Sequence, residues 1–172
     1  ALGGSPEAAA RAVRLEALEG SRGARVWRME LLSVSSVNGW QGEYAALAEV
    51  QPVGTPELRA AAVARVSALA RRVDAELDNL REGARLGHVA TRENVERVAA
   101  ELDRLLATPA ASWPQVRPAE RDGDPAFKVA LSSAVERDLV PAAERYRTHL
   151  RTEYVARARR KPSLLAHPGG EA

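Results

Sequence analysis

TPELRAAAVARVSALARRVDAELDNLREGARLGHVATRENVERVAAELDRLLA, residues Thr55 to Ala107, decides the fold. Leu58, Ala62, Val66, Leu69, Val73, Leu77, Leu80 and Ala84 follow one another by three or four residues. That spacing holds apolar side chains on one stripe of a helix. Thr55 is placed to cap the start, and Pro56 suits a first turn, where a missing N–H costs nothing. Gly87 is placed to end the helix in the left-handed conformation. Thr91 can then cap a second helix, whose stripe is Val95, Val98, Leu102 and Leu105. A turn this short makes the two helices antiparallel neighbours.

Working outward, the 172 residues fit one α-helical domain, 1–172, or a fragment of one. Hydrophobic residues are 45% but aromatics only 4%, so the core is expected to be thin, built of Leu, Val and Ala with helices close together. Ala and Arg enrichment favours helix throughout. Upstream, Ser5-Pro6-Glu7 opens a rather polar helix carrying Val13, Leu15 and Leu18, expected to end near Gly20. A second helix is expected over 24–32, with Trp27, Leu31 and Val34 on one face. Ser33–Gly42 reads as a loop, with Asn38-Gly39 as its turn. Glu43–Val50 reads as a brief helix, broken by Gln51-Pro52-Val53-Gly54.

Downstream, residues 108–124 carry Pro109, Pro114 and Pro118 with little periodicity and read as an irregular loop. Asp124 and Pro125 then open a helix with Phe127, Leu131, Val135 and Leu139 on one face. Pro141 should kink or restart it. Ala142, Tyr146, Leu150 and Tyr154 continue the stripe to about Arg160. The tail, 161–172, is expected to be flexible. The fold expected is all-α: about six helices around a long antiparallel αα-hairpin, roughly 56–86 and 92–107, with no sheet.

Charge excludes little. Twenty-five Lys and Arg face 23 Asp and Glu, a net charge of +2. The one basic concentration, Arg145 to Lys161, spreads around its helix and is interrupted by Glu144 and Glu153. It lacks the one-sided stripe of a nucleic-acid footprint, so no nucleic-acid partner is expected. No apolar run is long enough to span a bilayer. The opening ALGGSPEAAA lacks a charged-then-apolar leader pattern, and the compartment stays unassigned. With no cysteine there is no thiolate nucleophile and no cysteine zinc site.

Candidate chemistry is sparse. Of the three histidines, His149 lies one helical turn from Glu153 and could offer two ligands with it, while His88 falls in the hairpin turn and His167 in the tail. His149 and Glu153 are the metal candidates, but catalytic zinc takes three protein ligands, and a solvated His–Glu pair beside Arg145 and Arg157 fits better. No metal site is therefore assigned. Ser33, Ser35 and Ser36 lack a nucleophile elbow. Gly83 to Gly87 lacks the preceding strand of a phosphate loop. Asn38, Gly39 and Trp40 could face a ligand, whereas the plainer account makes Trp27, Trp40 and Trp113 lids on a thin core. No catalytic and no cofactor-binding residue is assigned.

Three blocks carry a family resemblance: WQGEYAALAEVQPVGTPELRAAAVAR (Trp40–Arg65), LDNLREGARLGHVATRENVERVAAELDRLLA (Leu77–Ala107), and DPAFKVAL with LVPAAERYRTHLRTEYVARAR beyond it. In order and spacing they resemble the N-terminal half of the bacterial "domain of unknown function 885" proteins. The closest parts are Ala48–Arg59, Asn79–Gly83 and Arg92–Val98. The resemblance implies an α-helical, gluzincin-like zinc metallopeptidase, a hydrolase, whose H-E-x-x-P-G-H motif lies well downstream in a longer chain. Nothing here matches that motif. His167-Pro168-Gly169-Gly170 shares letters but lacks the Glu and the second His, so no catalytic residue carries over. The family commonly has a proline near Ala70, and its absence implies an unbroken long helix.

The expectation is therefore a non-catalytic N-terminal helical part of a zinc-dependent peptidase-like protein that shapes the substrate channel. Zinc and peptide substrate would belong to the full-length protein. The alternative is a helical interaction or assembly module without activity. In the peptidase reading, the face left bare by a missing C-terminal half is expected to drive self-association, or to pack against that half in the full-length protein.

Overall fold

The computed structural model describes residues 6–24 and 28–162. Its longest element is the first arm of the hairpin, α3, Pro56–Leu86, which runs unbroken through Ala70. For numbering, α1 is Pro6–Ala24, α2 is Trp40–Val50 and α4 is Arg92–Leu106. Both hairpin caps form. Thr55 accepts from the Leu58 N–H at 3.3 Å and Thr91 from the Asn94 N–H at 3.4 Å. Gly87 ends α3 at φ +84°, the left-handed conformation glycine adopts without steric cost. Ala62, Val66, Leu69, Ala70, Val73, Leu77 and Leu80 are buried along the α3 stripe, while Leu58 and Ala84 at its ends are half-buried. Val95, Val98, Ala99 and Leu102 of α4 are buried opposite.

The hairpin packs on a second long helical rod. This rod is α6 (Pro125–Ala134), a π turn (Val135–Leu139), α7 (Val140–His149), a second π turn (Leu150–Tyr154) and α8 (Val155–Arg157). Asp124 caps it, accepting from the N–H groups of Ala126 and Phe127 at 2.8 and 3.2 Å. Pro141 does restart the helix, through the first π turn. Proline cannot donate to the carbonyl four residues back, and its ring clashes there. One extra residue relieves the clash, and the Val140 N–H reaches back five residues to the Val135 carbonyl. In the second π turn the Val155 N–H likewise reaches the Leu150 carbonyl. There the Thr152 hydroxyl donates to the Thr148 carbonyl at 2.9 Å, a side-chain competitor for the backbone ladder. Sequence periodicity gave no sign of this second turn.

Residues 108–124 are not the irregular loop expected. They form two 3₁₀ turns, Ala110–Ser112 and Pro114–Val116, and a short helix α5, Arg117–Asp122. The prolines mark starts rather than breaks: Pro114 and Pro118 lie in first helical turns, where no N–H is required. Trp113 is buried and donates from Nε1 to the Thr108 carbonyl at 3.3 Å. Arg121 ties α5 to the end of α2, donating to the Ala48 and Gln51 carbonyls at 2.9 and 2.8 Å. Arg59 of α3 joins the same corner, 2.8 Å from Asp122 and 2.6 Å from Asp124.

Two further expectations change upstream. Helix α1 continues through Gly20 to Ala24. Of the helix expected over 24–32, one 3₁₀ turn at Met29–Leu31 is described, and Trp27 lies outside the described residues. Ser5, His167 and the tail beyond Pro162 also lie outside them. By its contacts the chain divides into two compact units, Ala1–Glu30 and Leu31–Ala172.

The second unit has one continuous core running from Val34 and Trp40 to Tyr154 and Ala158. Trp40 meets Tyr146 edge to face, ring centroids 6.1 Å apart. The fold is all-α, with no strand among the described residues. A single backbone bridge joins Thr91 to Arg159, with the Arg92 N–H on the Arg159 carbonyl at 2.8 Å and the Arg159 N–H on the Ala90 carbonyl at 3.1 Å. It pins the end of the rod to the hairpin turn. No described helix is long and apolar enough to cross a membrane.

Candidate functional site

The second π turn builds one candidate site. On a regular helix with about 3.6 residues per turn, positions five apart point well away from each other. The wider π turn instead brings the rings of His149 and Tyr154 to 5.9 Å between centroids. Both side chains are buried. They line a cavity of about 340 Å³ with Arg81 and Ala84 of α3, and with Glu153 and Arg157 of the rod.

The charges are uneven. Arg81 lies 3.0 Å from Asp78, and Arg157 reaches the Ala84 carbonyl at 3.4 Å. Glu153 Oε2 stands 3.5 Å from His149 Nδ1, at the outer limit for a hydrogen bond, and its side chain is largely exposed. Both ring nitrogens of His149 lack a hydrogen-bond partner within the protein. Burial holds His149 below the ordinary imidazole range; Glu153 opposes this, and Arg81 and Arg157 reinforce it. The imidazole is therefore neutral at pH 7, with one N–H to donate and one nitrogen to accept. Tyr154 is raised by burial, and its hydroxyl accepts the Ala90 N–H at 3.0 Å.

His149 and Glu153 are thus adjacent, as helical spacing requires, but His149 is buried rather than solvated. Among the described residues no three His, Cys, Asp or Glu side chains come together in a metal-binding arrangement. Zinc takes at least three protein ligands, and the two guanidiniums lining this cavity oppose a divalent cation. These residues do not fit a zinc ion. Arg157 lies beside the pair, as its place on the same helix indicates, whereas Arg81 joins from α3 without a sequence signal.

The other arginines of the rod pair outward. Arg145 meets Asp74 at 2.8 Å, and Arg147 and Arg151 both reach Asp103.

Asn38, Gly39 and Trp40 form the entry to α2. The Ser35 hydroxyl accepts from the Val37 and Asn38 N–H groups at 3.1 and 3.0 Å. Gly39 sits so close that an added Cβ would fall 2.3 Å from the Ser35 carbonyl oxygen. Of the three, only Asn38 is exposed; Gly39 and Trp40 are buried.

A second recess, about 150 Å³, opens between α2, α3, α5 and α6. Tyr44 and Leu47 of α2, Val66 and Leu69 of α3, and Leu131 of α6 make it apolar, with Gln115 as a buried polar group. Leu47 is 55% exposed at its rim. Nothing in the sequence marked this recess, since its residues read as ordinary core positions.

Fold and cavities together define a helical scaffold that carries a polar recess at the second π turn and a mainly apolar one beside α2. The chain belongs to DUF885, a family of bacterial proteins of unknown function, whose family model matches residues 2–172. No curated protein matches it. No solved structure matches it.

Proposed function

We propose that this helical body is the non-catalytic N-terminal part of a zinc-peptidase-like protein and shapes its substrate channel. One observation carries the reading: the apolar recess rimmed by the exposed Leu47. A concave, mainly apolar pocket with a few polar groups, here Gln51, Arg65 and Gln115, suits an apolar side chain of an extended peptide. The resemblance of the sequence blocks to longer chains with a downstream H-E-x-x-P-G-H motif supports the same reading, while the family model itself gives membership of DUF885 and no activity. The zinc would be held by residues outside the described ones. The test is peptide hydrolysis by the full-length, zinc-loaded protein with and without Leu47→Glu. A channel wall raises KM for peptides with an apolar side chain and leaves kcat unchanged.

The second reading is an assembly module without activity. Leu47 and Val50, three residues apart on α2, are both exposed, at 55% and 75%. Exposed apolar neighbours favour association with a second copy. Sedimentation over a concentration series tests it: a dimer that Leu47→Glu dissociates supports it, and monomer at every concentration sinks it.

A further inference from the structure

We propose that the cavity at the second π turn binds a small oxyanion, a carboxylate or phosphate group. Three observations converge on it. First, Arg81 and Arg157 line one cavity in which Glu153 is the lining's one carboxylate, while Asp78, 3.0 Å from Arg81, stands outside it. Glu153 has a largely exposed side chain and can turn to solvent, while a guanidinium tied by one contact keeps further N–H donors for a ligand.

Second, His149 is 5% exposed and lines the cavity, with no hydrogen-bond partner on Nε2 and nothing nearer to Nδ1 than the exposed Glu153 carboxylate at 3.5 Å. A buried polar group left unmatched is costly, and natural folds seldom leave one so. A ligand oxygen accepting from the imidazole N–H removes that cost, and a cation does not, because the arginines repel it. Third, the rod departs from α geometry at this place. A π turn sets His149 and Tyr154 side by side on the cavity wall. The inference is independent of the peptide-channel reading, which concerns the other recess.

Calorimetric titration of the protein with inorganic phosphate and with succinate, at pH 7 and constant ionic strength, tests it. Saturable binding is expected for at least one. Phosphate alone identifies a phosphate-bearing ligand, succinate alone a carboxylate, and both a site that reads the oxyanion itself. The double variant Arg81→Gln with Arg157→Gln changes two exposed side chains and should keep the fold, checked by circular dichroism. It should weaken binding by about tenfold or more. Arg72→Gln with Arg97→Gln removes the same charge elsewhere and should leave affinity unchanged. In NMR spectra the His149 ring signals should move during the anion titration. No saturable binding of either anion, or binding undiminished in the Arg81/Arg157 variant, overturns the proposal. So does a zinc titration that moves the His149 signals when neither anion does.

Discussion

The Tyr154 hydroxyl accepts the backbone N–H of Ala90 at 3.0 Å, with both residues buried. One end of this bond lies in the hairpin turn between α3 and α4, the other in the second π turn of the rod. Tyr154→Phe removes the acceptor and keeps the ring. The Ala90 N–H is then buried without a partner, at a cost of about 1–3 kcal/mol. Urea unfolding should show that loss, and the Ala90 amide should exchange with solvent faster than in wild type. Unchanged stability would mean that the bond contributes nothing net.

Gly83 sits in the last turns of α3, where Ala would be preferred by about 1 kcal/mol on helix propensity alone. Packing reverses that preference. A Cβ there would fall 2.0 Å from the Leu31 carbonyl oxygen and 2.8 Å from that of His88, both backbone atoms that cannot swing away. Gly83→Ala should therefore destabilise by about 1–3 kcal/mol, as overpacked positions do. Gly20→Ala is the control: a Cβ meets nothing within 4 Å there. It should raise helix content in circular dichroism and lower no transition.

Acid should weaken the fold in two separate steps. His149 binds its proton less readily when folded than the ordinary value of 6.5, because burial penalises the charged form. As pH falls below that value the unfolded chain takes up the proton first, so stability declines there and is untouched above it. Asp138 behaves as a carboxylate held down. The Arg137 guanidinium and the Ser67 hydroxyl bring it from 3.8 to about 2. Its contribution is full above 3.8 and lost as pH falls towards about 2. Denaturant midpoints measured across pH should show both declines. His149→Gln should flatten the first slope and Asp138→Asn the second, whatever either does to stability at neutral pH.

The hairpin was legible because cap, stripe and stop agreed. Thr55, Pro56, the spacing from Ala62 to Leu80, and Gly87 each pointed to the same helix, and all are realised. Residues 108–124 misled because proline was read as a breaker, when at Pro114 and Pro118 it opens helical turns. The π turn at Pro141 follows from the ring's clash with the preceding turn, whereas the one at Leu150–Tyr154 has only the Thr152 hydroxyl as a local cause. At the polar cavity the sequence offered His149 and Glu153 through their one-turn spacing. It could not offer Arg81, since pairing residues from different helices requires the register between α3 and the rod. The burial of His149 depends on that same register.

The assembly reading gives a prediction for residues 1–172 alone. The exposed face around Leu47 and Val50 should then meet a second copy. Sedimentation should show a dimer at high concentration, and Leu47→Glu should shift the equilibrium to monomer.

The most direct measurement is steady-state peptide hydrolysis by the full-length, zinc-loaded protein, comparing wild type with Leu47→Glu. A helical channel wall predicts cleavage by the wild type. It also predicts a KM about three- to tenfold higher in the variant for a peptide with an apolar side chain, the order expected for losing part of one leucine's burial, with kcat unchanged. No hydrolysis by the full-length protein, or identical KM values for the two, would contradict it.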